Sequence, residues 1–269
     1  MLPLWLNHTR HSIHAALIDQ ACARQSWLTR SVASWTLNHA ITSNDQDALA
    51  AALDQLLSAR PKSSKKWMPS PCQVSLILPD SVARYEMLPW TSNLMLEDEL
   101  RQFAIERFEM INQPVREGWV VQADWKSKNA NTLAYALPHA LLDALQNVAH
   151  QHGLMLDRVM PLSALAHYGR LGLQRHNELR ILQCGSSSSA LLYLNGKLVS
   201  HLMEVVRGTT SDSTRRLISR LQMSELTSEI KLNKLSVFGV VPINLKEIIE
   251  GNSPAQIRLL NPLQWREWL

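Results

Sequence analysis

Twice in this chain three strand-like stretches run in succession before a helical one, and that repeated order limits the fold more than any single residue does. Near the start, Leu4 to Leu6, Ser12 to Ile18 and Ser26 to Leu37 carry the short apolar runs of strands. Asp45 to Ser58 then places Leu49, Ala52, Leu53, Leu56 and Leu57 at helical spacing, behind Asn44 or Ser43 as the N-cap. Far downstream, Leu179 to Cys184, Ser188 to Leu194 and Lys197 to Val206 form a second triplet, with Asn195-Gly196 as a tight hairpin turn. An amphipathic helix at Asp212 to Met223, a strand at Leu235 to Gly239 and a short helix at Leu245 to Glu250 follow. This order predicts an α/β protein of two related lobes.

The stretch between the triplets adds a further unit. Arg60 to Pro71, with three prolines, has the composition of a linker. Val74 to Leu78 is a buried strand, and Ala83 to Leu88 its neighbour after the Pro79-Asp80-Ser81 turn. Leu96, Leu100, Phe103, Ala104, Phe108 and Ile111 line one face of a helix that shows Glu97, Asp98, Arg101 and Glu109 on the other. Gly118 to Trp125 and Asn131 to Leu137 make a strand pair, and Leu141 to His150 a helix closed at Gly153. Leu154 to Val159 is a strand, and Pro161 opens a helix that runs to about Tyr168. The expected division is a first lobe over residues 1–172, with an αβ unit inserted at about 73–125, and a second lobe over 173–269 that ends in a tail.

Composition removes several function classes. At 46% hydrophobic and 19% charged, with a net charge of +4, the chain is globular and only mildly basic. The one dense run, Lys62 to Lys66, is too short for a nucleic-acid or membrane footprint. Met1 to Leu6 is too short for a signal-peptide core, and no stretch approaches the roughly 20 apolar residues of a spanning helix. Cys22, Cys72 and Cys184 are odd in number and widely spaced, which points to a reducing cytoplasm. His8, His11 and His14 have a metal-like spacing, but strand alternation turns 11 away from 8 and 14. Cys184 beside Gly185 has no base near it in sequence and reads as a core thiol, and Trp5, Trp27, Trp35, Trp119 and Trp125 as packing residues.

Three segments carry a resemblance. Val74-Ser75-Leu76-Ile77-Leu78-Pro79 with Arg84, then Leu88-Pro89 and the acidic helix opening at Glu97-Asp98-Glu99, resembles the PilM pilus-assembly proteins. It is equally similar to the cytoplasmic domain of the type II secretion L protein. Ile181 to Ser189, followed by Asn195-Gly196-Lys197, looks like the second phosphate hairpin of that family. Leu156 to Ala166 resembles its strand entering an alanine-rich helix. The order of the three covers most of the chain.

The resemblance implies two ribonuclease-H-like lobes of the actin/Hsp70 superfold with an inserted small αβ subdomain. It also implies a place for ATP between two glycine-rich hairpins, and there this sequence departs from the pattern. The first turn would be Asn7 to His11, without Asp or Gly; the second keeps Gly185 and Ser186 but has Gln183 where an aspartate belongs. The adenosine glycine pair is reduced to Gly239 followed by Val240. The expectation is a degenerate site, no cofactor, no catalysis, and a scaffold at the inner-membrane platform of a type IV pilus or type II secretion system. Its implied partners are a bitopic inner-membrane protein of the PilN or secretion L/M type and the assembly ATPase, with room for a homodimer. Glu97 and Glu106 on the acidic helix, and Leu259, Leu260 and Trp265 in the tail, are the candidate contact residues. The tail is similar to the partner segment that PilM proteins accept, so it is a candidate self-docking segment; the plainer expectation is a terminal strand completing the second lobe. The rival reading is a nucleotide-binding actin-like ATPase or sugar-kinase relative; a third is the cytoplasmic part of a longer, membrane-anchored secretion L protein.

Overall fold

A computed structural model describes residues 11–27, 30–41, 43–61, 73–92, 96–111, 113–125, 129–169, 176–184, 187–206, 209–224, 232–239 and 256–260. The first sheet is built from β1 (His11–Ala16), β2 (Gln20–Trp27), β3 (Arg30–Ala40), β4 (Gln73–Leu78) and β8 (Met155–Pro161), in the order β3-β2-β1-β4-β8. Its first three strands are antiparallel, whereas β1, β4 and β8 run parallel. The second sheet repeats the plan. It contains β9 (Glu178–Cys184), β10 (Ser187–Leu194), β11 (Lys197–Val205), β12 (Lys234–Phe238) and β13 (Gln256–Leu260), in the order β11-β10-β9-β12-β13, again antiparallel and then parallel. Each large sheet therefore holds three successive antiparallel strands followed by parallel ones, the doubled plan the repeat predicts, although the strands of the first triplet fall at other residues than expected.

The helices cover the sheets through the faces that the leucine spacing predicts. On α1 (Gln46–Ser58), Leu49, Leu53 and Leu56 are fully buried. They pack with Leu141 and Leu145 of α3 (His139–Gln151) and with Ile13, Val74 and Leu76 of the first sheet. The N-cap of α1 is Asp45, whose carboxylate accepts the Ala48 N–H at 2.8 Å, while Ser43 donates to Asp45 at 2.6 Å. Trp35 Nε1 donates to Leu56 O at 2.7 Å, fastening β3 to the same helix. In the second lobe, Ile218 and Leu221 of α5 (Thr210–Ser224) pack on Leu179, Ile181, Ala190 and Leu192.

Besides the N-cap, which is Asp45 rather than Asn44 or Ser43, two expectations are corrected. Residues Ser26 to Leu37 do not form one strand, because β2 ends at Trp27 and β3 begins at Arg30; a strand also occupies Gln20 onward, so the β1–β2 turn falls at 17–19. The expected strand at Leu4 to Leu6 and helix at Leu245 to Glu250 lie outside the described residues. The second correction concerns the insert. β4 is a central strand of the first sheet, held between β1 and β8, so the inserted unit does not begin at 73. It comprises β5 (Arg84–Leu88), α2 (Glu97–Met110), β6 (Trp119–Gln122) and β7 (Thr132–Pro138), with a three-stranded sheet in the order β5-β7-β6. Leu100, Ala104 and Phe108 of α2 close over Leu88, Val121, Ala134 and Ala136. A strand buried on both faces reads alike in sequence whether it belongs to a large or a small sheet, which is why β4 was assigned to the wrong one.

Candidate functional site at the junction of the lobes

The site expected between the hairpins lies at the carboxyl ends of the parallel strands, where ligands of open α/β sheets are held. In the first lobe the β1–β2 hairpin is the counterpart of β9–β10. Its turn is Leu17-Ile18-Asp19, not Asn7 to His11. It therefore carries an acid after all, although still no glycine. Leu17 is fully buried, and its N–H already donates to Ile77 O at 2.8 Å, so it is not available to a phosphate.

In the second lobe Gly185 and Ser186 lie outside the described residues, but both flanks of their turn are placed. Cys184 Sγ sits 3.0 Å from Ser187 Oγ. Burial, reinforced by the negative charge of Asp80, pushes the Cys184 thiol up to about 11, which leaves it protonated and unreactive as the core reading expected. Gln183 is buried and turned toward α5, where its amide Nε2 donates to Thr214 Oγ1. Its Oε1 and the Oγ of Ser188, opposite it on β10, have no hydrogen-bond partner among the described residues.

Gly239 closes the row. Its φ is +96°, and a Cβ there would lie 2.5 Å from Gln183 O and 3.0 Å from Gln183 Cβ. The side on which a side chain would project is filled by the neighbouring strand, while Gly239 itself is exposed.

The feature that sequence reasoning missed is Asp80. It opens the 3₁₀ turn after β4 and is 1% exposed. Its carboxylate accepts Ser163 N at 2.7 Å, Ser163 Oγ at 2.6 Å, Ser189 Oγ at 2.6 Å and the hydroxyl of Tyr85. Burial first, and then the adjacent carboxylate, holds the Tyr85 phenol well above its ordinary range. His201 lies beside Tyr85, the ring centroids 4.6 Å apart and the planes tilted by 53°. Burial outweighs the attraction of Asp80 and lowers its imidazole to about 4, so it is neutral at pH 7.

The proposed contact residues are dispersed. Glu97 and Glu106 stand on the outer face of α2, bonded to Arg101 at 3.3 Å and to Gln102 at 3.2 Å. Leu259 and Leu260 belong to β13, paired in parallel with Val237 and Phe238 of β12. They are thus part of a sheet strand rather than of a free docking segment, as the plainer expectation held. Trp265 lies outside the described residues.

No family model matches this chain, and no curated protein matches it. Solved structures do. A protein of unknown function with an actin-like ATPase fold from Bacteroides thetaiotaomicron is 15% identical, with a TM-score of 0.59 over 94% of this chain and 91% of that one. The chain has the actin-like ATPase fold. The cytoplasmic domain of EpsL, an inner-membrane component of the type II secretion system of Vibrio cholerae, superposes with a TM-score of 0.58 at 13% identity, covering 96% and 93% of the two chains. A chain of the PilM–PilN type IV pilus biogenesis complex gives 0.62 at 11% identity over 94% and 89%.

Two described positions depart from what a nucleotide held between the hairpins would use. Gln183 offers an amide where a carboxylate would hold Mg²⁺ through water. The N–H of Leu17 is committed elsewhere. Among the described residues no three His, Cys, Asp or Glu side chains gather to hold a metal, and no helix is long and apolar enough to cross a membrane.

Proposed function

We propose that this chain is an adaptor in the inner-membrane assembly platform of a type IV pilus or type II secretion machine, acting from the cytoplasmic side by docking rather than by catalysis. The observation that carries the reading is the likeness, over nearly the whole of both chains, to the pilus complex and to the EpsL cytoplasmic domain. The amide of Gln183, turned into the second lobe, supports the non-catalytic part. In this reading the partner is the cytoplasmic segment of a bitopic membrane protein of the PilN type. Glu97 and Glu106 on the insert supply assembly contacts, to that partner or to a second copy of the chain.

The test is calorimetric titration of the purified chain with the cytoplasmic segment of the bitopic protein encoded beside it, with and without Mg-ATP. Saturable binding that Mg-ATP leaves unchanged is the expected result. Failure to bind any such segment overturns the reading. Asp19 is the one observation that favours the rival, an active ATPase. Steady phosphate release from ATP that disappears in Asp19→Asn would establish that rival; no turnover above a buffer blank is expected.

A further inference from the structure

A carboxylate removed from water is costly unless hydrogen bonds replace its hydration. Asp80 meets this cost with donors drawn from three different bodies. Ser163 lies on α4 (Leu162–Tyr168) of the first lobe, Tyr85 on β5 of the insert, and Ser189 on β10 of the second lobe. Ser163 is 83 residues from Asp80 along the chain and Ser189 is 109. All the donors are neutral hydroxyls or a backbone N–H, so the bonds hold only in one mutual placement of the three bodies.

One turn further along α4 the same three bodies are joined again. His167 Nδ1 lies 3.2 Å from the hydroxyl of Tyr193 on β10, and its Nε2 lies 3.3 Å from Thr132 Oγ1 on β7. Tyr168 donates to Leu133 O of the insert. Between the two polar seams Leu162, Leu165 and Ala166 pack dry against Leu133, Leu182 and Leu191. Every residue of α4 from Leu162 to His167 is buried. Asp80 stands beside Cys184, next to the turn that would face a triphosphate.

We propose that Asp80 is a latch: its carboxylate, anchored by Ser163, Tyr85 and Ser189, fixes the two lobes and the insert in one arrangement and takes over the bridging part that a nucleotide held between the hairpins would play. The lobes of this chain are set by its own side chain rather than opened and closed by a ligand. The latch is a property of the chain by itself and stands whether or not a pilus or secretion partner is found.

The test measures the distance between the lobes. Spin labels are attached at Gln55→Cys on α1 and Ser219→Cys on α5, both exposed positions, in a Cys72→Ser background. The distance distribution is read by pulsed dipolar spectroscopy without nucleotide and with Mg-ATP. The parent is expected to give one narrow distribution that Mg-ATP does not move. Ser189→Ala, which removes the second-lobe donor alone, broadens or shifts it, and Asp80→Asn does so further. Ser188→Ala, on the same strand but facing α5, leaves it unchanged. Hydrogen exchange within β9 and β10 stays slow in all of them, marking lobes that are still folded. A broad distribution in the parent, a shift with Mg-ATP, or a Ser189→Ala distribution indistinguishable from the parent's would each overturn the latch. Ser189→Ala decides the matter alone should Asp80→Asn fail to fold.

Discussion

Replacing Gly239 by alanine tests whether this glycine serves packing or a ligand. The added Cβ meets Gln183 O at 2.5 Å, and that oxygen belongs to the backbone of a central strand, which cannot rotate away as a side-chain tip would. Overpacking of this kind costs about 1–3 kcal/mol. The φ of +96° adds about 1–2 kcal/mol for any residue with a Cβ. The sum is about 2–5 kcal/mol, a large share of the roughly 5–15 kcal/mol that holds a domain folded. At about 2–4 °C per kcal/mol for a chain of this size class, Tm falls by about 4–20 °C. Gly153 supplies the control, since its φ is +68° and nothing lies within 4 Å of its Cβ position. Alanine there costs only the backbone strain, about 1–2 kcal/mol. The assay is circular-dichroism melting with urea unfolding of the parent, Gly239→Ala and Gly153→Ala. If Gly239→Ala melts within 2 °C of the parent, or no lower than Gly153→Ala, the close approach is not a structural necessity and the packing argument fails.

Acid should weaken the fold through His201. Its folded imidazole is held near 4 against an ordinary 6.5, so only the unfolded chain takes up its proton between those values. Stability is full above about pH 6.5 and falls as pH drops toward 4, by up to about 3 kcal/mol at 1.36 kcal/mol per unit; His201→Gln should flatten that limb in urea midpoints measured from pH 8 to 4, and a parallel slope would refute it. Cys184, its thiol near 11, should escape iodoacetamide at pH 8 in the native protein and become labelled only in denaturant, as followed by peptide mass mapping.

The repeated strand order was legible because apolar runs separated by Asn195-Gly196, by polar turns and by the α1 leucines have a local physical meaning. Local meaning also explains the errors. Gln20 to Trp27 contains Gln20, Arg24, Gln25 and Ser26, too polar for a strand by pattern, yet Gln25 is buried and the strand forms between β1 and β3. That slip displaced the first hairpin turn and concealed Asp19. Asp80 was legible only as part of a Pro79-Asp80-Ser81 turn, because the partners that make its burial tolerable lie 83 and 109 residues away. Gln183 was singled out by its position, but its orientation toward Thr214 depends on which face of β9 meets α5, and that is a tertiary fact.

The insert leaves and rejoins the first lobe through neighbouring strands, with Arg84 on β5 directly opposite Ala136 on β7. Seen from the first lobe it is a two-stranded stalk whose cross-links, Tyr85 and Thr132, both lie within those strands. α2 and β6 hang beyond that stalk, and the chain returning to β7 is tied back to the body where the Asp124 N–H donates to the Tyr168 hydroxyl at 3.2 Å and Asn131 bridges Leu198. The length and charge of the outer face of α2 can therefore change without relaying a strand of either large sheet.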